Sequence, residues 1–147
     1  MYLVDTNVIS AGAGSKAVAA TDLVAWMDEH SANLYLSAVT VAEIEDGIAK
    51  ANREKAKRKA ADLTAWLETL LHLYWNRILA FDVAAARIAG ALSDLARSRG
   101  TTPGFADIVI AATARSHGLT ILTRNIRHFE PLGLPTLNPF DRLPSSN

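Results

Sequence analysis

The sequence predicts an α/β fold: an α/β/α sandwich around a central parallel sheet of four to five strands. Three observations predict it. Short apolar runs, too brief for helices, recur at residues 2–4, 34–37, 78–81, 119–122 and 134–137. Between them lie longer segments whose apolar residues fall three and four apart, the helical period. Strand and helix signals alternate along the chain, which argues for parallel strands joined by crossovers that cover both sheet faces. No internal repeat, linker or low-complexity segment interrupts the pattern. Residues 1–147 are therefore read as one domain, with the tail after about residue 139 loosely packed.

The first strand is Tyr2-Leu3-Val4, ending in Asp5-Thr6-Asn7. A helix begins near Asn7 and is interrupted by Gly12 and Gly14. Residues 15–30 carry Val18, Leu23, Val24 and Met27 near helical spacing. Asn33 marks a turn, and Leu34-Tyr35-Leu36-Ser37 is the second strand. A helix is predicted from Thr40 to about Lys50, with Val41, Ile44 and Ile48 on one stripe. Thr40 and Glu43 match the Thr-x-x-Glu capping box at its start.

Residues 52–74 show the longest helical pattern, through Ala56, Ala60, Leu63, Leu67, Leu70 and Tyr74. Its first turns are basic: Arg53, Lys55, Lys57, Arg58 and Lys59. Residues 78–81 form the third strand, Asp82 caps the next helix, and Gly100 ends it. Residues 105–117 are apolar nearly all round, the mark of a helix buried on most sides. Gly118 stops that helix. The fourth strand, residues 119–122, ends in Thr123-Arg124-Asn125. A short helix to Phe129 and a fifth strand at 134–137 follow.

At 147 residues, half of them hydrophobic, the chain can bury a real core. Lys plus Arg equals Asp plus Glu at 15 each. A whole-molecule basic field for nucleic acid is therefore absent, and any such binding must be local. Cysteine is absent, which excludes disulfides, thiolate metal sites and cysteine nucleophiles, and fits a cytoplasmic protein. No signal peptide is expected, and no apolar run approaches the ~20 residues that span a bilayer.

The acids are the informative residues. Asp5 closes the first strand, where Asp is disfavoured. Glu43 and Asp107 are each expected in the first turn of a helix after a strand. Taken singly, Glu43 or Asp107 is equally well read as complementing a helix dipole. Together they fall at one edge of a parallel sheet, where ligands bind. Carboxylates crowded there would repel one another and take up protons unless a cation relieved them. Oxygen-only ligands favour Mg²⁺ or Mn²⁺ over zinc, and such a site suits phosphodiester hydrolysis. Asp5 and Asp107 are assigned as principal metal ligands. Glu43 is a further ligand or orients the attacking water. Thr6, Asn7, Thr123 and Asn125 would support them, with Asn125 offering only a neutral carbonyl.

At these residues the chain resembles the PIN domain, and within it the VapC-type toxins of bacterial toxin–antitoxin pairs. The matching segments are Leu3-Val4-Asp5-Thr6-Asn7-Val8-Ile9-Ser10, Leu36-Ser37-Ala38-Val39-Thr40-Val41-Ala42-Glu43, the stretch from Phe105-Ala106-Asp107-Ile108 to Ala114, and Leu122-Thr123-Arg124-Asn125. Their order covers nearly the whole chain. The resemblance implies a Mg²⁺- or Mn²⁺-dependent ribonuclease with Asp5, Glu43 and Asp107 as its acidic catalytic site. It also implies a cognate VapB-type antitoxin that blocks the site, toxin homodimers, and heterotetramers or larger assemblies with the antitoxin. The fourth position, often Asp in the family, is Asn125 here, which puts a direct metal bond there in doubt.

Other features are weaker. The run from Arg53 to Lys59 reads first as a solvated helix face, and only second as a grip on an RNA backbone. Arg124, Arg127 and His128 sit near the acidic edge and suit phosphate or an antitoxin carboxylate. His30, His72, His117 and His128 lack metal-ligand spacing. Trp26, Trp66 and Trp75 read as core or interface. A haloacid-dehalogenase-like phosphatase would need Asp where Asn7 stands, and a receiver-like phosphoacceptor would need a lysine near Arg124. The remaining alternative is a PIN-fold binding module without nuclease activity, regulated by a partner protein.

Overall fold

The computed structural model describes residues 1–10 and 17–145. The predicted glycine break at Gly12 and Gly14 and the helix start at Ser15 lie outside the described residues, as does the side chain of Val18. Five parallel strands form the sheet: β1 (Tyr2–Val4), β2 (Leu34–Ser37), β3 (Ile78–Leu79), β4 (Thr120–Leu122) and β5 (Thr136–Leu137). Their order is β3-β2-β1-β4-β5. From β1 the chain steps outward through β2 to β3, then returns to β4 on the other side of β1. The β1–β4 junction is thus the switch point of the topology, where an open α/β sheet leaves a crevice at its carboxyl edge.

Both sheet faces are covered, which explains why the strands are apolar throughout. Alternate residues feed opposite cores. Val4, Leu34, Leu36 and Leu122 join one cluster with α1 (Thr6–Ile9), α2 (Ala17–Glu29), α3 (Ala38–Arg53) and α4 (Lys57–Leu73). Leu3 and Ile121 join the other with α5 (Val83–Ser98), α6 (Phe105–His117) and α7 (Ile126–Phe129). Helix α6 is buried from Ile108 to Ala114, as its all-round apolar sequence predicts. Among the described residues, no helix is long and apolar enough to cross a membrane.

Three helices end in the same way. In the Schellman closure the residue after the C-cap turns left-handed, so that two terminal carbonyls find N–H donors. Gly100 (φ 76) and Gly118 (φ 64) take that position after α5 and α6. After α3 the position falls to Lys55 (φ 58), with its N–H donating to the Asn52 carbonyl (3.1 Å) and the Ala56 N–H to that of Ala51 (2.8 Å). This corrects the single helix predicted over 52–74: the chain breaks between Arg53 and Lys57, and the basic run straddles a turn. No glycine announced the break. An L-residue in the left-handed region is disfavoured by about 1–2 kcal/mol. Lys55→Gly should therefore raise stability by about 1 kcal/mol and Tm by about 2–4 °C in a thermal melt.

Two helix starts also bear on the site. Asp82 caps α5, its Oδ1 accepting from the Ala85 N–H at 2.9 Å, as expected. Helix α3 begins earlier than predicted: Ser37 is its cap, accepting from the Val39 N–H at 3.2 Å. The capping box at Thr40 and Glu43 does not form. Thr40 is buried inside the helix, and Glu43 lies in its second turn. At the far end, the segment after Pro139 was expected to pack loosely. There Phe140 packs against the first core cluster and Pro144 is buried.

Candidate active site

Asp5 is placed by two elements at once. Its N–H donates to the Leu122 carbonyl of β4 at 2.9 Å, and its own carbonyl accepts from Val8 and Ile9 as α1 begins. The residue is only 6% exposed. Its Oδ1 accepts from the Thr6 N–H (2.7 Å) and its Oδ2 from the Thr123 hydroxyl (2.7 Å). A buried carboxylate at a strand end persists only when so partnered. Burial pushes this carboxyl above its ordinary value. The Thr123 and Thr6 hydrogen bonds pull it back, the neighbouring Asp107 charge raises it, and His128 lowers it.

Thr123 is the hub of the arrangement. Its hydroxyl has one proton, given to Asp5. Its oxygen accepts from the Asn125 N–H (3.0 Å) and from Asn7 Nδ2 (3.4 Å). The Asn7 carbonyl in turn accepts from the Arg124 N–H at 3.1 Å. Asn7, Thr123 and Asn125 therefore fix the loop after β4 against the start of α1. Asn125 contributes through its main chain, and its side chain makes no cap on α7.

Glu43 arrives from α3. Its Oε1 accepts from the Thr6 hydroxyl at 2.7 Å, and that hydroxyl lies 3.2 Å from the Thr40 hydroxyl. Thr6 thus joins Asp5 through its N–H and Glu43 through its side chain. Burial raises the Glu43 carboxyl, Thr6 lowers it, and the charges of Asp5 and Asp107 raise it further. The early start of α3 matters here. A glutamate used up in a capping box would point to its own helix end, whereas the second-turn position carries it across to α1.

Asp107 sits in the first turn of α6. Its Oδ2 accepts from His128 Nδ1 at 2.9 Å, a partner on α7 that the sequence reading did not pair with it. The one signal was proximity: His128 lies three residues after Asn125, on the helix that leaves the β4 edge. His128 and Arg127 separate two open cavities. One, of about 340 Å³, is lined by Asp107 and the loop from Thr101 to Gly104; the other, of about 470 Å³, by Arg124, Asn138 and Asp141. Arg124 lies over the Phe140 ring, 3.7 Å from its centroid. The basic residues Arg53, Lys55, Lys57, Arg58 and Lys59 are exposed around the α3–α4 turn. His30 and His117 bond the Trp26 and Thr113 carbonyls at the ends of their helices. Trp26 is buried, Trp66 packs at the core margin, and Trp75 is exposed.

The three predicted acids therefore share one electrostatic neighbourhood, each held by its own partner. Among the described residues, no three acidic or histidine side chains converge into a ready cation cage. Thr123, Thr6 and His128 occupy the oxygens instead. The donor set still fits a hard divalent ion of the Mg²⁺ type. It is all oxygen, two of its carboxylates bind protons more tightly than usual because of burial and mutual repulsion, and Mg²⁺ needs only one or two carboxylates while keeping its waters.

Comparison with known proteins gives consistent results. A family model described as the PIN domain matches residues 2–132. The chain is 37% identical to VapC ribonuclease Y4jK of Sinorhizobium fredii over 142 residues, covering 96% of this chain and 99% of that one. It is 36% identical to Toxin FitB of Neisseria gonorrhoeae, over 95% and 99% of the two chains. Among solved structures it is similar to FitAcB from Neisseria gonorrhoeae, with a TM-score of 0.81 at 37% identity, covering 95% and 99%. It is also similar to FitAB bound to an IR36 DNA fragment, with a TM-score of 0.77 at 33% identity, covering 95% and 96%.

Proposed function

The chain belongs to the PIN-domain family, as a VapC/FitB-type toxin of a toxin–antitoxin system, and from that premise we propose that Asp5, Glu43 and Asp107 are its catalytic acids in Mg²⁺- or Mn²⁺-dependent RNA cleavage. The protein is a ribonuclease of the metal-dependent PIN class. The observation that carries the site assignment is the hydrogen-bonded chain from Thr123 through Asp5 and Thr6 to Glu43 at the β1–β4 switch point, with Asp107 opening α6 close enough for its charge to act on both carboxyls.

Each residue has a distinct task. Thr123 and the Thr6 N–H hold Asp5 in one orientation, so it needs no reordering when a charge arrives. Asp107, in the first turn of α6, offers its carboxylate from a separate element. Glu43 is held through Oε1 and reaches the solvent side, the placement for taking a proton from an incoming water. A divalent cation held by Asp5 and Asp107, with Glu43 as a further or water-bridged ligand, would acidify a water and neutralise charge on the phosphate oxygens. Arg124 and Arg127, beside the cleft, suit the RNA backbone or an acidic group of the antitoxin.

The solved relatives include FitAB and VapBC complexes. By that likeness the partner proposed here is a VapB-type antitoxin, with toxin homodimers assembled into heterotetramers or larger complexes in the cytoplasm. A basic side chain of the antitoxin entering the acidic edge would stand in for the cation.

The decisive experiment is cleavage of total RNA by the purified chain with Mg²⁺, Mn²⁺ or chelator. Discrete fragments that need metal support the proposal. Binding to the antitoxin with no cleavage under any condition, once the preparation is shown free of antitoxin, would favour a binding module. Metal binding has an independent readout. At a hundredfold excess over Kd the ion should add ~2.7 kcal/mol of stability, roughly 5–10 °C in Tm at this size. The pH dependence has a defined sign. The Asp5 and Glu43 carboxyls lie above their ordinary values of 3.8 and 4.5. The folded chain thus keeps protons the unfolded chain has released, and metal-free stability falls as pH rises from those values through the raised folded ones. The Mg²⁺-induced rise in Tm should therefore be largest near neutrality and shrink as pH falls through the raised values of Asp5 and Glu43, where protons compete with the ion.

A further inference from the structure

Phe105 and Phe81 form an exposed aromatic pair that the catalytic arrangement does not use. Phe105 is 70% exposed and Phe81 37%, with ring centroids 6.1 Å apart at 89°. Val83, two residues after Phe81, is 77% exposed. An isolated exposed apolar residue needs no explanation, but two exposed rings held edge to face, one of them two residues before Asp107, are a built feature. Their position follows from topology. Along the carboxyl edge the strands run β3, β2, β1, β4. Phe81 follows β3, Glu43 comes from the helix after β2, Asp5 ends β1, and α7 with Arg127 follows β4. Phe105 opens α6, two residues before Asp107. The edge therefore reads, in order, aromatic pair, acids, basic residues.

We propose that the Phe105–Phe81 pair is a stacking platform for an unpaired nucleobase flanking the scissile phosphate, which makes the substrate segment single-stranded. The inference rests on the ribonuclease reading above. Aromatic faces stack any base, and single-stranded RNA is the form whose bases are free to splay onto them. With the phosphate at the acids, one flank of the strand meets Arg124 and Arg127 and the other meets the rings.

The test uses short single-stranded RNAs, each with 2-aminopurine at one position, bound to the full chain in chelator so that the strand stays intact. Stacking quenches the fluorophore. Quenching confined to one or two positions, lost with about tenfold weaker binding in Phe105→Ala and restored in Phe105→Tyr, supports the platform. Equal quenching and affinity in Phe105→Ala would overturn it. So would a shift from dimer to monomer in Phe105→Ala by sedimentation, which would assign the patch to a second copy. Cleavage in Mg²⁺ is run alongside. Metal-dependent cleavage unaltered by Phe105→Ala removes the platform and leaves the nuclease reading intact. Absence of both cleavage and RNA binding in the unmutated chain removes that reading and the platform with it.

Discussion

Asp107→Asn is expected to lower RNA cleavage by at least roughly 10²–10³-fold while leaving the fold intact. The expected loss is that of one preorganised charged group at a reacting phosphate. The variant is a clean probe because the amide keeps a carbonyl oxygen for His128 Nδ1, now 2.9 Å from Asp107 Oδ2. Only the charge is removed, and with it the repulsion that raises Asp5 and Glu43. The melting temperature should stay within about 2 °C of the unmutated chain or rise slightly, since the amide keeps the His128 hydrogen bond and removes a charge that repels Asp5 and Glu43. The Mg²⁺-induced rise in Tm should shrink in parallel with activity. Asp5→Asn is a poorer probe. Both Asp5 oxygens accept hydrogen bonds, so an amide nitrogen there must face a donor, and lost activity would be confounded with lost structure. Asp107→Asn retaining full metal-dependent cleavage, in a preparation free of other nucleases, would exclude the proposed site.

Phe129→Ala is expected to destabilise the chain by about 3–5 kcal/mol, the usual consequence of emptying a buried aromatic site. Tm should fall by roughly 10 °C. Phe129 is fully buried at the end of α7, in the cluster that includes Leu3, Ile121 and Leu132. It is the anchor of a four-residue helix too short to hold itself together. That helix carries Arg127 and His128 past Asp107. At 25 °C, where the folded form should still dominate, cleavage should show a raised KM, because the α7 wall of the cleft loses its seat. Phe129→Leu, which keeps most of the volume, should recover most of both effects. A thermal melt together with the KM–kcat split decides the matter: a Tm change under about 2 °C would mean that α7 is not seated by this ring.

Local pattern carried much of this protein. The apolar runs ending at Val4, Ser37 and Leu122, the all-round apolar helix from Phe105 to His117, and the stop at Gly118 were all legible because each depends on near neighbours. So were the places of Asp5 at a strand end and of Asp107 in the first turn of a helix, since each follows from its own segment. Where two local signals competed, sequence reading chose wrongly. Thr40 with Glu43 made a plausible cap, but Ser37 already ended β2 at the position where α3 had to begin. Lys55 looked helical because nothing local forbids it, and only the packing of α3 against α4 required a left-handed residue there. The pairing of His128 with Asp107 spans 21 positions and that of Thr123 with Asp5 spans 118. Neither can be read from spacing, because a hydrogen bond between distant segments exists only after the sheet order has brought β4 beside β1. Local sequence placed Asp5 at a strand end and Asp107 at a helix start; tertiary packing chose which hydroxyl or imidazole holds each of them.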